Sequence, residues 1–194
     1  VFALQSQLGT SYHPAAMTAL SLAGRAQYLE SSIKEVALFA GIGEHLPTWF
    51  KNYHWGVNIK CHRSNFLPPG LGLVDFNEKG FSIKISGAAR AMMECLYLAP
   101  KHFSLIEAFE LFEGLNNLRP VQVQELMEQC NSVKVKRLFL FMADLAGHEW
   151  INYLDTECFD LGAGNRSIVE NGVYISKYQI TVPKELENRD GYSL

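Results

Sequence analysis

Hydrophobic positions recur with a helical period through the middle of the chain. Ala88, Ala91, Met92 and Cys95 follow the i, i+3, i+4, i+7 spacing of one helix face, and Pro100 stops that helix. Ser104 with Glu107 three residues on forms a capping box, opening a helix with Leu105, Phe109 and Phe112 inward and Gly114 at its end. Arg119-Pro120 starts a third helix with the stripe Val123, Leu126, Met127 and Cys130. A fourth begins near Ser132 and carries Val135, Leu138, Phe139 and Met142. Such short connections predict antiparallel neighbours in a helical layer. Leu140 and Phe141 lie off the main stripe of the fourth helix, so it is either buried on two sides or meets another subunit, which keeps a homodimer open.

Strand patterns lie before and after this layer. Val36–Ala40 is a continuous apolar run, and Val57, Ile59 and Cys61 alternate with Asn58, Lys60 and His62. Leu71–Phe76 and Phe81–Ile85 flank Asn77-Glu78-Lys79-Gly80, which predicts a hairpin. Tyr178, Ile180 and Val182 alternate with Gln179 and Thr181 before Pro183. Met17–Gly24, entered through Pro14, predicts a helix ahead of the first strand. Strands first, then helices, then a last strand pair indicate an α+β fold. The expected architecture is a small mixed β-sheet packed against a layer of antiparallel helices, with a C-terminal β-hairpin-like segment. Residues 1–194 are expected to form a single domain, with a subdivision, if any, into 1–130 and 131–194.

Composition agrees with one sizeable core: of 194 residues, 48% are hydrophobic and 19% charged. No apolar run approaches the roughly 20 residues of a membrane-spanning helix, so no membrane partner is expected. Val1-Phe2-Ala3-Leu4-Gln5 has no basic n-region or cleavage pattern, and the missing Met suggests a fragment of a longer chain. The net charge of −3 excludes a wholesale basic nucleic-acid binder. It is unevenly spread, +2 over residues 1–100 and −5 over 101–194, so any anion-binding surface is local. Cys61, Cys95, Cys130 and Cys158 share no CxxC spacing and read as reduced, buried thiols of a cytoplasmic protein.

Few constellations carry chemistry. Gly41-Ile42-Gly43 follows an apolar strand, but Leu46 stands where a dinucleotide fingerprint needs its third glycine, and a tight turn is expected. No phosphate loop and no Gly-x-Ser-x-Gly elbow exists. The six histidines never pair at i, i+4, so neither a metal nor another cofactor is expected. The acidic residues from Glu107 to Glu128 fall opposite the apolar stripes, as on solvated helix faces. Lys134, Lys136 and Arg137 break a local rule, because they occupy the first turns of the fourth helix, where the dipole disfavours cations by about 0.3–1 kcal/mol each. They point to phosphate or an acidic partner surface, or else to neutralisation by Glu125 and Glu128. On the dipole argument alone, removing all three charges leaves stability unchanged or slightly raised. Asp160-Leu161-Gly162-Ala163-Gly164-Asn165-Arg166-Ser167 suits an anion-binding nest or a plain loop into a terminal hairpin.

Several spaced motifs resemble one family. Ser132–Leu140, Ala146-Gly147-His148-Glu149-Trp150, Asp160–Ser167, Gly172-Val173-Tyr174 and Lys177–Pro183 look like the C-terminal part of the AbiEi family, antitoxins and transcriptional autoregulators of bacterial type IV toxin–antitoxin systems. Gly114-Leu115, Leu118-Arg119-Pro120 and Ser86-x-x-x-Arg90-Ala91 fit the same pattern, and the resemblance runs from about residue 2 to 187. It implies an N-terminal winged-helix domain that contacts promoter DNA and is expected to be missing here, Val1–Leu8 resembling the helix just downstream of it. It also implies a nucleotidyltransferase-like toxin that is countered without a stable complex. The residues expected to touch nucleic acid or a partner are Lys134, Lys136, Arg137, Arg90 and Arg166, with no catalytic residue. Two positions depart from the pattern: Gly87-Ala88 replaces a common Pro-Glu, and Asn165 stands where a lysine is common. A nucleic-acid-processing or nucleotide-binding enzyme of unrecognised type is the alternative.

Overall fold

The computed structural model describes residues 1–24, 35–78 and 80–187, and the chain divides into two compact units, Val1–Ala91 and Met92–Leu194. The class is α+β, with the strands among the described residues in three small sheets rather than one.

In the first unit, α1 (Phe2–Ser6) precedes β1 (His13–Pro14) and α2 (Ala16–Leu22). The apolar run expected as a strand is β2 (Glu35–Ala40); α3 (Thr48–Asn52) is the crossover to β3 (Asn58–Arg63). β2 pairs antiparallel with β1 and parallel with β3, with Leu38 opposite Cys61 and Ala40 opposite Arg63. A parallel pair needs a crossover, and α3 supplies it on the sheet face that carries Val36, Leu38, Ala40, Ile59 and Cys61. There Phe50 joins Leu4, Tyr12, Leu38 and Ala40 in a buried cluster. Gly41–Gly43 is a turn, as expected, with Gly43 at φ +92°. The predicted hairpin is β4 (Leu73–Glu78) against β5 (Phe81–Ser86), registered with Glu78 opposite Phe81; Lys79 of its turn lies outside the described residues.

The boundary between the units falls within α4 (Ala88–Leu98), which ends just before the cis Ala99–Pro100 peptide. In the second unit, Ser104 Oγ accepts from the Ile106 and Glu107 amides at the start of α5 (Leu105–Glu113), satisfying two otherwise orphan donors. Gly114 caps the far end in a right-handed conformation (φ −74°), not the left-handed one its glycine allows. Pro120 opens α6 (Pro120–Gln129), and Ser132 Oγ caps α7 (Val133–Leu145) through the Val135 amide at 3.3 Å. Every residue from Val135 to Ala143 is buried within this chain. The choice left open by Leu140 and Phe141 therefore falls to burial. Phe112, Phe139, His148 and Trp150 cluster in the core of this unit, with Phe112 and Phe139 edge to face at a ring-centroid distance of 5.0 Å and His148 stacked on Phe112 and Trp150. His148 Nε2 donates to the Phe112 carbonyl at 2.7 Å and Trp150 Nε1 to that of Leu115 at 2.9 Å, so both polar ring atoms are matched in the interior.

The C-terminal segment is more than a hairpin. β8 (Ile180–Val182) is central, flanked by β6 (Arg166–Ser167) in parallel and β7 (Val173–Ile175) antiparallel. Ile180 and Val182 are fully buried. Gly172 makes this close packing feasible, because a Cβ there would stand 2.1 Å from the Val182 carbonyl oxygen. Among the described residues no helix is long and apolar enough to cross a membrane. Cys95 and Cys130 are buried, but Cys61 is half-buried and Cys158 exposed, which corrects the expectation of four buried thiols. Cys158 sits in a short 3-10 turn over Thr156–Cys158, where there is no apolar stripe to carry it inward.

Candidate functional site

The second unit gathers the sequence motifs around one side chain. Arg137 is almost fully buried in α7. Its Nε donates to the Leu161 carbonyl at 2.8 Å, Nη2 to Gly162 at 3.0 Å, and Nη1 to Gly164 at 2.7 Å and Gln179 at 3.1 Å. Gly162 and Gly164 take left-handed φ values of +63° and +74°. Those torsions turn the carbonyls of the loop toward one planar fork of donors. The loop is thus the electrostatic inverse of an anion nest: acceptors converge, and they hold a cation.

Local chemistry explains the loop's path. Asp160 Oδ1 accepts from the Gly162 amide at 2.9 Å, an Asx turn that starts the bend. A Cβ on Gly162 would lie 3.0 Å from Val133 Cγ2, so the loop packs against the first turn of α7 as only glycine allows. Tyr174 Oη donates to Asn165 Oδ1 at 2.8 Å, which gives a structural partner to the asparagine that replaces the lysine of the family pattern. The Gln179 carbonyl also accepts the Arg166 amide at 2.9 Å, and Gln179 itself has φ +52°. Arg137 and β6 thereby meet on a single acceptor. Arg166 follows directly, with its side chain exposed.

Lys134 Nζ donates to the carbonyls of Tyr97 (2.7 Å) and Ala99 (2.6 Å) and lies 5.7 Å from the Tyr97 ring centroid. A cation disfavoured at the start of its own helix thus sits on the orphan carbonyls at the end of α4. Burial, reinforced by Lys101, lowers its pKa. Lys136 is buried in the same helix and its charge reaches the Cys130 thiol. Glu125 and Glu128 do not face these cations. They line an open groove of about 710 Å³ with Val121, Gln124, Tyr153 and Asp155, and Glu128 accepts from Gln124 at 2.7 Å.

Arg90 belongs to the first unit. It is buried, and its Nη1 donates to the carbonyls of Pro68 (2.7 Å) and Leu71. The neighbouring Gly87 donates its amide to Gly72 at 2.9 Å, and a Cβ there would stand 2.9 Å from that carbonyl oxygen. This accounts for one departure from the family pattern, since proline would lack the N–H and clash. Of the five cations expected at a binding surface, three are held by main-chain carbonyls, Lys136 is buried and Arg166 is exposed. The carbonyl acceptors were not visible in the sequence, although a Gly-x-Gly following an Asx turn was the available signal.

No curated protein matches the chain. Among solved structures, the crystal structure of the RV2827C protein from Mycobacterium tuberculosis is similar, with a TM-score of 0.60 at 13% identity, covering 91% of this chain and 64% of that one. At that identity the likeness establishes shared fold, and this chain spans somewhat less than two thirds of that protein's length. The family described as "Transcriptional regulator, AbiEi antitoxin, Type IV TA system" matches residues 33–183, a stretch that contains the whole Arg137 cradle as well as the Arg90 loop. On that match, the chain belongs to the AbiEi antitoxin family of type IV toxin–antitoxin systems.

Proposed function

We propose that this chain is the effector part of a bacterial type IV antitoxin, without catalysis of its own. It opposes a nucleotidyltransferase-like toxin in the cytoplasm without holding it in a stable complex. Autoregulation through promoter DNA is assigned to the family's winged-helix domain rather than to residues 1–194. The observation that carries the reading is the family match over residues 33–183.

Partner contact is assigned to Arg166, the exposed cation on the strand that Arg137 orders. Arg137, Lys134 and Arg90 are assigned a positioning role, because a guanidinium or ammonium engaged by carbonyls has few donors left for a phosphate. Lys136, buried within α7, is assigned no partner contact.

Co-expression with the adjacent toxin gene tests this reading. The intact protein should restore growth, and Arg166→Gln should weaken rescue while thermal stability stays within about 0.5 kcal/mol of the parent. Rescue that is unchanged when residues 92–194 are deleted from the full protein would overturn the assignment of the effector. A stoichiometric toxin complex surviving gel filtration would overturn neutralisation without complex formation.

A further inference from the structure

The first unit exposes a concentration of aromatic surface that the antitoxin reading does not use. Trp49 is 49% exposed, Tyr53 63% and Trp55 39%, whereas Phe50 between them is buried at 4%. Phe50 anchors the group: its ring centroid lies 5.6 Å from Trp49 and 4.8 Å from Trp55, and Trp55 lies 4.5 Å from Tyr53. Trp55 Nε1 donates to the Phe50 carbonyl at 2.8 Å, which fixes the indole at the surface with its polar atom satisfied. Single exposed apolar residues need no explanation, but three large rings within seven residues form a contiguous patch.

The segment that carries the rings has charge of one sign. From His45 to Val74 the chain contains no Asp or Glu, while Lys51, Lys60 and Arg63 are cationic. Lys51 is exposed on α3 between Trp49 and Tyr53. Arg63 follows Ile59 and Cys61 at period two, so it projects from the sheet face that α3 covers, whereas Lys60 falls on the other face. Arg63 Nη1 lies 3.1 Å from His45 Nδ1, and both side chains are exposed. Exposed aromatic rings interleaved with cations, along a segment without acidic residues, match the two parts of a single-stranded nucleic acid, its bases and its phosphates.

We propose that Trp49, Tyr53 and Trp55, together with the exposed cations Lys51 and Arg63 of the same segment, form a stacking platform for single-stranded DNA or RNA. This is separate from promoter recognition, because duplex DNA keeps its base faces stacked and out of reach. It does not rest on the antitoxin reading, since binding is measured on the purified chain without a toxin.

Tryptophan fluorescence gives a direct test. Trp150 is 4% exposed, so surface quenching reports Trp49 and Trp55. Short oligothymidine and oligouridine should quench saturably at low salt, and a self-complementary duplex should not; the ratio of the two affinities tells DNA from RNA. By polarisation of labelled oligonucleotide, Trp49→Ala with Tyr53→Ala should weaken binding by about tenfold or more. The salt dependence should be shallow, log K against log salt having a slope of about −1 to −2 for the two cations, and Lys51→Gln should flatten it by about 0.7. Should the alanine pair fail to fold by circular dichroism, Lys51→Glu on an exposed side chain must weaken binding by itself. Equal affinity for duplex, no saturable binding by either oligonucleotide, or quenching only by anionic phospholipid vesicles or by self-association in sedimentation would each overturn the proposal.

Discussion

Arg137 donates through Nη1 to the main-chain carbonyl of Gln179, a residue 42 positions further along the chain (3.1 Å). With the three loop carbonyls, this contact ties a helix to the last strand through one buried cation. Truncating it leaves carbonyls turned inward without their donor.

Arg137→Gln should therefore destabilise the protein by about 2–4 kcal/mol. Arg137→Lys should recover only part of this, because an ammonium cannot reproduce the planar fork. Lys134→Gln should also destabilise, by exposing the end of α4. This reverses the outcome expected from the helix dipole alone, for which removal of these charges is neutral or favourable. Urea unfolding followed by tryptophan fluorescence checks the sign for each variant.

The glycines of the second unit should rank by what a methyl group meets. Gly172→Ala places Cβ 2.1 Å from a backbone oxygen and should be the most damaging. Gly162→Ala combines left-handed φ with a 3.0 Å approach to Val133 and should cost more than Gly164→Ala, which has left-handed φ and open space. For Gly164→Ala the expected cost is about 1 kcal/mol. Melting temperatures of the three variants test the order, and a Gly164 variant as unstable as Gly172→Ala would contradict it.

Tyr178 should shape stability at alkaline pH. Burial pushes its phenol from 10.0 up to about 12, with the Lys177 ammonium working against the shift. Between pH 10 and 12 the unfolded chain releases the proton that the folded protein keeps, so stability falls as pH rises through this window. Its contribution is fully present below pH 10. Tyr178→Phe should flatten the decline between pH 10 and 12 relative to the parent, and the difference between the two curves isolates this group from the cysteines and Tyr12.

Cys158 should be the fast-reacting thiol of the native protein, since Cys95 and Cys130 are buried and Cys61 half-buried. Its Sγ donates to Asp155 Oδ2 at 3.0 Å, and this hydrogen bond, followed by the carboxylate's charge, raises its pKa. A smaller thiolate fraction slows attack on a disulfide reagent. Asp155→Asn should therefore accelerate the native-state reaction at pH 8, as read by the release of thionitrobenzoate.

Local signals carried the secondary structure where a whole face or a cap was encoded. Ser104 and Ser132 each start a helix where the sequence places it, because their hydroxyls satisfy orphan amides within three residues. Pro120 opens one because its fixed φ suits the first turn and it has no amide to leave orphaned. The β4–β5 hairpin was legible from its two flanking runs, although the pairing extends through Asn77 and Glu78, which the sequence pattern assigns to the turn. The helix α3 was not legible. It has only five residues and one buried side chain, too short a segment for a period to show.

What the sequence by itself determined was the α+β class, the four central helices, the strands with apolar runs, and the family, read from spaced motifs in the C-terminal half. Tertiary structure alone decided what those motifs do. Lys134 and Arg137 look like a surface for anions because sequence shows their charge and helix position but not their acceptors. Those acceptors are main-chain carbonyls of Tyr97, Ala99, Leu161, Gly162, Gly164 and Gln179, which every residue type carries alike. A carbonyl's direction is set by backbone torsions and long-range packing, and so a cation's role as an internal brace or an external contact emerges only when distant segments meet.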